Sequence, residues 1–378
     1  MIPYRLATYY GASFLMIGIH LPFWPVWLES KGLGAEEIGM VIALGIVMKI
    51  IANPLVAQVA DRRGERKRLI VLLTTISLAI FALFALASGF WSIVIINCIF
   101  FAFWSPAMPL QESLTMQSAA RYGFDYGRIR LWGSITFIIS AMGIGHLLKG
   151  SSTDLIYWTI AGTIALTSLS ALLLPDIRPP TSTLKQLPFI TVLKDRRFVL
   201  FLLASALVNA SHAVLYGFGT IHWQRAGLSS DVIGGLWAEG VIVEIALFIF
   251  GQQVVTKIGP ARLIALAGVA GVIRWTGIGL TTDLPFLIVL QALHGLTFGA
   301  AHLGAMHFIQ SRIKPELSAT AQSLYSSVVM GIGMGTAFFF SGYLFAAYGA
   351  SAYFPMALMS GLGAVIIFML RRRKDAAQ

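Results

Sequence analysis

The chain has 378 residues, 57% hydrophobic and 11% charged, with a mean hydropathy of +0.80. A soluble domain is about 45–50% apolar and about 25% charged, and no water-soluble fold of this size hides such an excess. The net charge of +11 points to nucleic acid only if the basic residues fail to segregate into short loops on one side of a bilayer.

An apolar helix of about 20 residues crosses the hydrocarbon core. Runs of that length fall near 4–28, 37–60, 69–88, 91–117, 130–148, 155–174, 198–223, 232–255, 263–281, 285–310, 318–346 and 352–370. The first of them has no small-residue cleavage site after it and reads as a span, not as a removable leader. The longest polar stretch, Pro175–Arg197, divides the spans six and six. The expected fold class is therefore an all-α polytopic membrane protein of about twelve transmembrane helices in two six-helix bundles. The boundaries are 1–175 for the N-terminal bundle, 176–197 for a cytoplasmic linker, 198–370 for the C-terminal bundle and 371–378 for a cytoplasmic tail. Pro22 and Pro25 in the first span, and Pro106 and Pro109 in the fourth, are expected to kink their helices. Cys98 is the single cysteine and lies inside an apolar run, which excludes a disulfide framework.

Twenty-one of the 27 Lys and Arg residues lie in the termini, the linker and alternate loops; only Lys31, Lys149 and Arg225 lie in the loops of the other side. The positive-inside rule then puts both termini in the cytoplasm. The high charge is topology, not DNA binding.

A constant offset of 195 residues maps Gly32-Leu33 onto Gly227-Leu228, Glu36 onto Asp231, Ile38-Gly39 onto Ile233-Gly234 and Gly64 onto Gly259. This is the mark of a parallel repeat whose halves flank a common route. The same shift carries Lys49 onto Glu244, so matching helices bear opposite charges at mid-span.

Lys49, Glu112, Arg130, Glu239, Glu244 and Arg274 are formal charges inside spans or at their edges. Each costs roughly 2.5–3.5 kcal/mol at a helix centre, so such residues face a cavity or a partner. Glu244 and Arg274 lie near the middle of the eighth and ninth spans, where a carboxylate that approaches and leaves a cation changes its proton affinity. Glu244 is the first candidate for the coupling proton, with His294 as relay and Glu239 toward the outer entrance. Lys49 and Arg130 are cations for a solute anion, Arg130 in bidentate fashion. Phe23, Trp24, Trp27 and Trp104 offer ring surfaces to an aromatic solute. His20, His212, His294, His302 and His307 make no metal-ligand cluster, so no metal is expected. Gly331-Ile332-Gly333-Met334-Gly335 lies in an apolar span and reads as close helix packing, not a phosphate loop.

The loop Asp61-Arg62-Arg63-Gly64-Glu65-Arg66-Lys67 resembles the cytoplasmic loop motif of the major facilitator superfamily, with Ala57 in place of its first glycine and Glu65 in place of an arginine. The resemblance implies that Asp61, Arg62, Gly64 and Arg66 form a gating loop that binds no solute. Thr256-Lys257-Ile258-Gly259 is its weaker counterpart in the second half. Leu21-Pro22-Phe23-Trp24-Pro25-Val26-Trp27-Leu28, Asp125-Tyr126-Gly127-Arg128-Ile129-Arg130-Leu131-Trp132-Gly133-Ser134, Val272-Ile273-Arg274-Trp275 and Ala301-His302-Leu303-Gly304-Ala305-Met306 are similar to the 3-phenylpropionate permease group, related to the lactose permease family.

By that resemblance Glu112 and Arg130 match sugar-contacting residues, while Arg274 and His294 match a proton-coupling arginine and histidine. Gln291 and Thr297 stand where the lactose permeases have a lysine and their proton-carrying glutamate, so that proton site does not transfer unchanged.

The expected function is a proton-coupled symporter importing a small organic solute, an aromatic carboxylate such as 3-phenylpropionate, by alternating access. The expected setting is a bacterial-type inner membrane. The proton gradient is its driving ion, no cofactor is needed, and the chain acts as a monomer. Oligosaccharide or nucleoside symport and drug efflux by antiport are the alternatives within transport. A membrane-embedded enzyme is disfavoured because no nucleophile or metal-ligand constellation is found.

Overall fold

The computed structural model describes residues 2–177, 192–314 and 317–375, and the side chains of Asp61, Gln252, Ser318, Ala319 and 371–375 lie outside the description. Most of the expected linker falls in 178–191 and likewise lies outside the described residues, as does the end of the expected tail.

Among the described residues the chain is helical throughout, without strands. Its helices are α1 Ile2–Ser30, α2 Ala35–Arg63, α3 Arg66–Ala82, α4 Phe90–Trp104, α5 Ala107–Tyr122, α6 Tyr126–Leu147 and α7 Asp154–Ala171. After the linker come α8 Arg196–Ala210, α9 Ala213–Arg225, α10 Ser230–Ile249, α11 Gly251–Ile258, α12 Pro260–Leu280, α13 Leu284–Ala292, α14 Ala301–Arg312, α15 Ser318–Tyr325, α16 Met334–Tyr348 and α17 Tyr353–Asp375. The pairs α4/α5, α8/α9, α10/α11, α13/α14 and α15/α16 are each one interrupted rod, so the described residues assemble into twelve rods. This is a multi-pass membrane protein. Large apolar side chains that a soluble protein would hide, such as Leu86 at 82% and Leu280 at 71% exposure, face outward, where lipid replaces water.

The prolines act unequally. Pro106 falls between α4 and α5, whereas α1 runs unbroken through Pro22 and Pro25. Between α13 and α14, and between α15 and α16, the rods pass through π-helical turns at Gly295–Ala300 and Ser326–Gly333. Such turns insert an extra residue and rotate the side chains that follow.

Two compact units emerge, one of residues 1–184 with 228–238 and one of 185–227 with 239–378. The division passes through α10. In the first unit α1 packs on α6 and α7, and α3 on α4 and α7. The second repeats the pattern: the α8 rod packs on α17 and the second π-helical turn, and α12 on α14 and α17. The offset of 195 also relates helix limits, since α2 (35–63) maps onto α10 and α11 (230–258). Gly32 and Gly227, which open these paired helices, have φ of 86° and 89°, a conformation other residues reach only with strain.

The first unit is held by very close helix approach and by an aromatic core. A Cβ at Gly18 on α1 would stand 2.6 Å from the Phe137 carbonyl oxygen of α6 and would also collide with Ser140. Backbone cannot yield there as a flexible side chain would. Gly18→Val is therefore expected to lower the unfolding temperature of the detergent-solubilised protein by several degrees, the result of about 1–3 kcal/mol of overpacking; an unchanged melting curve would show that α1 and α6 separate freely. Lys31 and Asp154 close the loop side of this unit with an exposed ion pair of 2.8 Å, and Lys149 lies 3.5 Å from Asp231. The second unit packs Phe201 on Phe308, rings 4.3 Å apart.

Candidate functional site

The second unit buries one cation completely. Arg274, on α12, is 1% exposed, and its guanidinium is read by three neutral acceptors. Nη1 donates to Thr297 Oγ1 at 2.8 Å and to His294 Nδ1 at 3.1 Å, and Nη2 donates to Gln291 Oε1 at 2.6 Å. The guanidinium also lies over the Trp275 ring, 4.7 Å from its centre, and Trp275 is fixed by donating from Nε1 to Ser211 Oγ at 2.9 Å. The planar fork spreads its donors over separate nitrogens in a fixed plane, whereas an ammonium presents three donors from a single point.

His294 links this cation to a carboxylate. Its Nδ1 must be unprotonated to accept from Arg274, so the neutral ring carries its hydrogen on Nε2. That nitrogen lies 3.6 Å from Glu244 Oε2. The expected direct pairing of Glu244 with Arg274 is thus replaced by an arginine–histidine–glutamate chain. Two local features build it. Gly240, one turn before Glu244 on α10, lets the His294 ring approach so closely that a Cβ there would meet it at 3.3 Å. The π-helical turn Gly295–Ala300 begins directly after His294 and carries Thr297, so His294 and Thr297 both reach Arg274. Glu239, half-buried on α10, also feels the charge of Arg274.

His212, at the junction of α8 and α9, completes the cluster. Its Nδ1 donates to the Asn209 carbonyl at 3.0 Å, and its Nε2 lies 3.2 Å from Thr297 Oγ1. In the sequence His212 has no role beyond its place among histidines that make no metal cluster, and Gln291 and Thr297 stand out only as departures from a motif. The only signal for all three was their polarity in apolar spans.

The first unit disperses its charges. Lys49 is half-buried on α2, its ammonium 4.8 Å from the centre of the Phe101 ring. His20 meets the same ring edge-on at 5.6 Å. Glu112 on α5 accepts from the Tyr126 hydroxyl, while Arg130 on α6 lies 5.8 Å from the centre of the Phe14 ring. The described residues show no ion pair between Glu112 and Arg130. Phe23, Trp24 and Trp27 are 0%, 2% and 1% exposed. Trp24 stacks on Trp27 at 4.5 Å and packs against Phe81 and Phe84, a placement that gives these rings a packing role. Trp104 is half-buried and stacks on Phe100.

In the expected gating loop, Gly64 ends α2 with φ of 66°. Arg66 is buried, and its Nε donates to Ser113 Oγ on α5 at 3.1 Å. Arg62 is exposed, and the side chain of Asp61 lies outside the described residues. Among the described residues no group of three His, Cys, Asp or Glu is placed to hold a metal ion.

Comparison with known proteins agrees with this architecture. Residues 4–356 match the model of the MFS_1 like family. The chain is 33% identical over 367 residues to the "Probable 3-phenylpropionic acid transporter" of Escherichia coli (strain K12), covering 94% of both chains. It is 21% identical over 328 residues to the "Lactose permease" of Citrobacter freundii, covering 81% of this chain and 78% of that one. Among solved structures it is similar in fold to the nucleoside transporter NupG, with a TM-score of 0.84 at 18% identity over 98% of each chain.

Proposed function

The chain belongs to the MFS_1 like family of major facilitator transporters, and on that premise we propose that it is a proton-coupled symporter importing a small aromatic carboxylate of the 3-phenylpropionate type by alternating access. It does so across a bacterial-type inner membrane, with both termini cytoplasmic. The proton gradient drives it, and a single chain is sufficient.

The observation that supports an anionic solute is Lys49. Its ammonium sits at mid-helix in a bilayer protein, against a phenyl ring, and no carboxylate of the described residues lies within ion-pair distance. Holding such a charge in apolar surroundings costs roughly 2.5–3.5 kcal/mol. A carboxylate arriving with its own ring offsets that cost and stacks where Phe101 and Trp104 present aromatic surface. Arg130 beside Phe14 and Glu112 beside Tyr126 are proposed as further solute contacts. The relative's name, "Probable 3-phenylpropionic acid transporter", supports the same solute class.

The second unit supplies the proposed proton site, with Glu244 accepting, His294 relaying, Arg274 biasing both and Glu239 at the outer approach. The loop Asp61, Arg62, Gly64 and Arg66 is proposed as the gate. One proton carried with one monovalent anion moves no net charge and is driven by the pH gradient plus the solute gradient. A second proton adds roughly 2.3 kcal/mol per 100 mV of membrane potential.

Uptake into proteoliposomes tests the solute class. Phenylpropionate is expected to compete, while lactose, uridine and a lipophilic cation do not; competition by lactose or uridine alone would transfer the reading to sugars or nucleosides. Lys49→Ala is expected to raise the KM for the carboxylate about tenfold or more, with partial recovery in Lys49→Arg, since a charge-assisted hydrogen bond contributes about 1.5–3 kcal/mol. An unchanged KM in Lys49→Ala would remove Lys49 from the site.

A further inference from the structure

Resting on the reading that Glu244 takes the proton, we propose that His212 is a positioning residue: through the Thr297 hydroxyl it holds Arg274 against His294, and so keeps the single N–H of His294 aimed at Glu244. The hydrogen bonds leave little freedom in assigning protons. The Asn209 carbonyl can only accept, so His212 carries its hydrogen on Nδ1, and in the neutral ring Nε2 is an acceptor. The Thr297 hydroxyl is the donor within reach of that nitrogen, at 3.2 Å. With its hydrogen turned to His212, Thr297 Oγ1 offers lone pairs to Arg274 Nη1 at 2.8 Å.

The same Nη1 donates to His294 Nδ1, which leaves Nε2 as the protonated nitrogen of His294, 3.6 Å from Glu244. Each donor in this circuit is set by the one before it. Glu244 can gain a proton with the Arg274–His294 contact intact, whereas His294 relays one only by letting go of Arg274, because a proton on its Nδ1 displaces the guanidinium.

The groups facing His212 come from every neighbouring element. Tyr216 lies one turn along α9, with rings 5.4 Å apart; Trp275 comes from α12 at 4.9 Å, and His294 and Phe298 from the π-helical rod at 6.0 and 6.2 Å. Arg274 is the charge among them, and it is felt in turn by Tyr216, Tyr353 and Glu239. Without the acceptor on His212, the Thr297 hydrogen is free to turn to the His294 carbonyl, 3.4 Å away. The lone pair held toward Arg274 is then no longer fixed.

His212→Phe keeps a ring and removes both nitrogens, and Thr297→Val keeps the shape and removes the oxygen. Each is expected to lower accumulation driven by an imposed pH gradient about tenfold, as one orphaned buried partner implies, while solute counterflow continues and reports a folded carrier. The double variant is expected to lose no more than either single one, since both break one circuit, and Thr297→Ser to accumulate like the parent. Normal accumulation in His212→Phe, losses that multiply in the double variant, or a defect in Thr297→Ser equal to that of Thr297→Val would each overturn the proposal. If His212→Phe gives no counterflow, the Thr297 pair decides alone. Glu244→Gln separates the two levels: accumulation persisting in that variant sinks the proton assignment itself, whatever His212 does.

Discussion

Glu244→Gln is expected to abolish solute accumulation driven by an imposed pH gradient while leaving counterflow intact. One pH unit corresponds to about 1.36 kcal/mol, so a carrier coupled to one proton sustains about a tenfold solute gradient across it. The amide keeps the size of the carboxyl beside His294 Nε2, 3.6 Å away in the parent, but it cannot carry the proton. The solute gradient therefore collapses to parity while exchange of solute for solute, which needs no net proton movement, continues. Accumulation measured in proteoliposomes with labelled solute decides it. Acid-driven accumulation at the parental level in Glu244→Gln would place the coupling proton elsewhere.

Arg274 gives the second large effect. Arg274→Leu removes one guanidinium and strands three acceptors at once: Gln291 Oε1, His294 Nδ1 and Thr297 Oγ1. An orphaned buried group costs about 1–3 kcal/mol, so this variant is expected to be poorly stable in detergent and inactive in accumulation. Arg274→Lys retains the charge but has one nitrogen in place of a planar fork. It is expected to recover thermal stability in part and to stay at least about tenfold below the parent in accumulation. Melting curves and uptake measured together separate the outcomes. Full accumulation in Arg274→Lys would mean that charge alone, not the hydrogen-bond geometry, matters at this position.

Much of the architecture is legible without coordinates because a bilayer leaves a chain few choices. Twelve apolar runs foreshadow the twelve rods, and the offset of 195 seen in Gly32 and Gly227 reappears in their shared backbone conformation. Arg274, His294 and Glu244 stand out in sequence because charged or titratable groups in lipid-spanning helices are rare. The aromatic motif of α1 is legible as a motif and not as a role: Trp24 and Trp27 look equally suited to a solute and to a core, and the stacking with Phe81 and Phe84 puts them in the core.

Residue order alone dictates the number and succession of the spans, the segregation of basic residues, the internal repeat, and which side chains are too polar for lipid to tolerate unpartnered. It takes the packed helices to show that His294 stands between Arg274 and Glu244, that Gln291, Thr297 and His212 share one circuit, and that Glu112 turns to Tyr126. The cause is helix rotation. Helices apolar on every side carry little periodic record of which face meets which neighbour. The facing is set by close contacts such as Gly240 against His294 and by the π-helical turn that re-aims Thr297, and those exist only once the rods have packed.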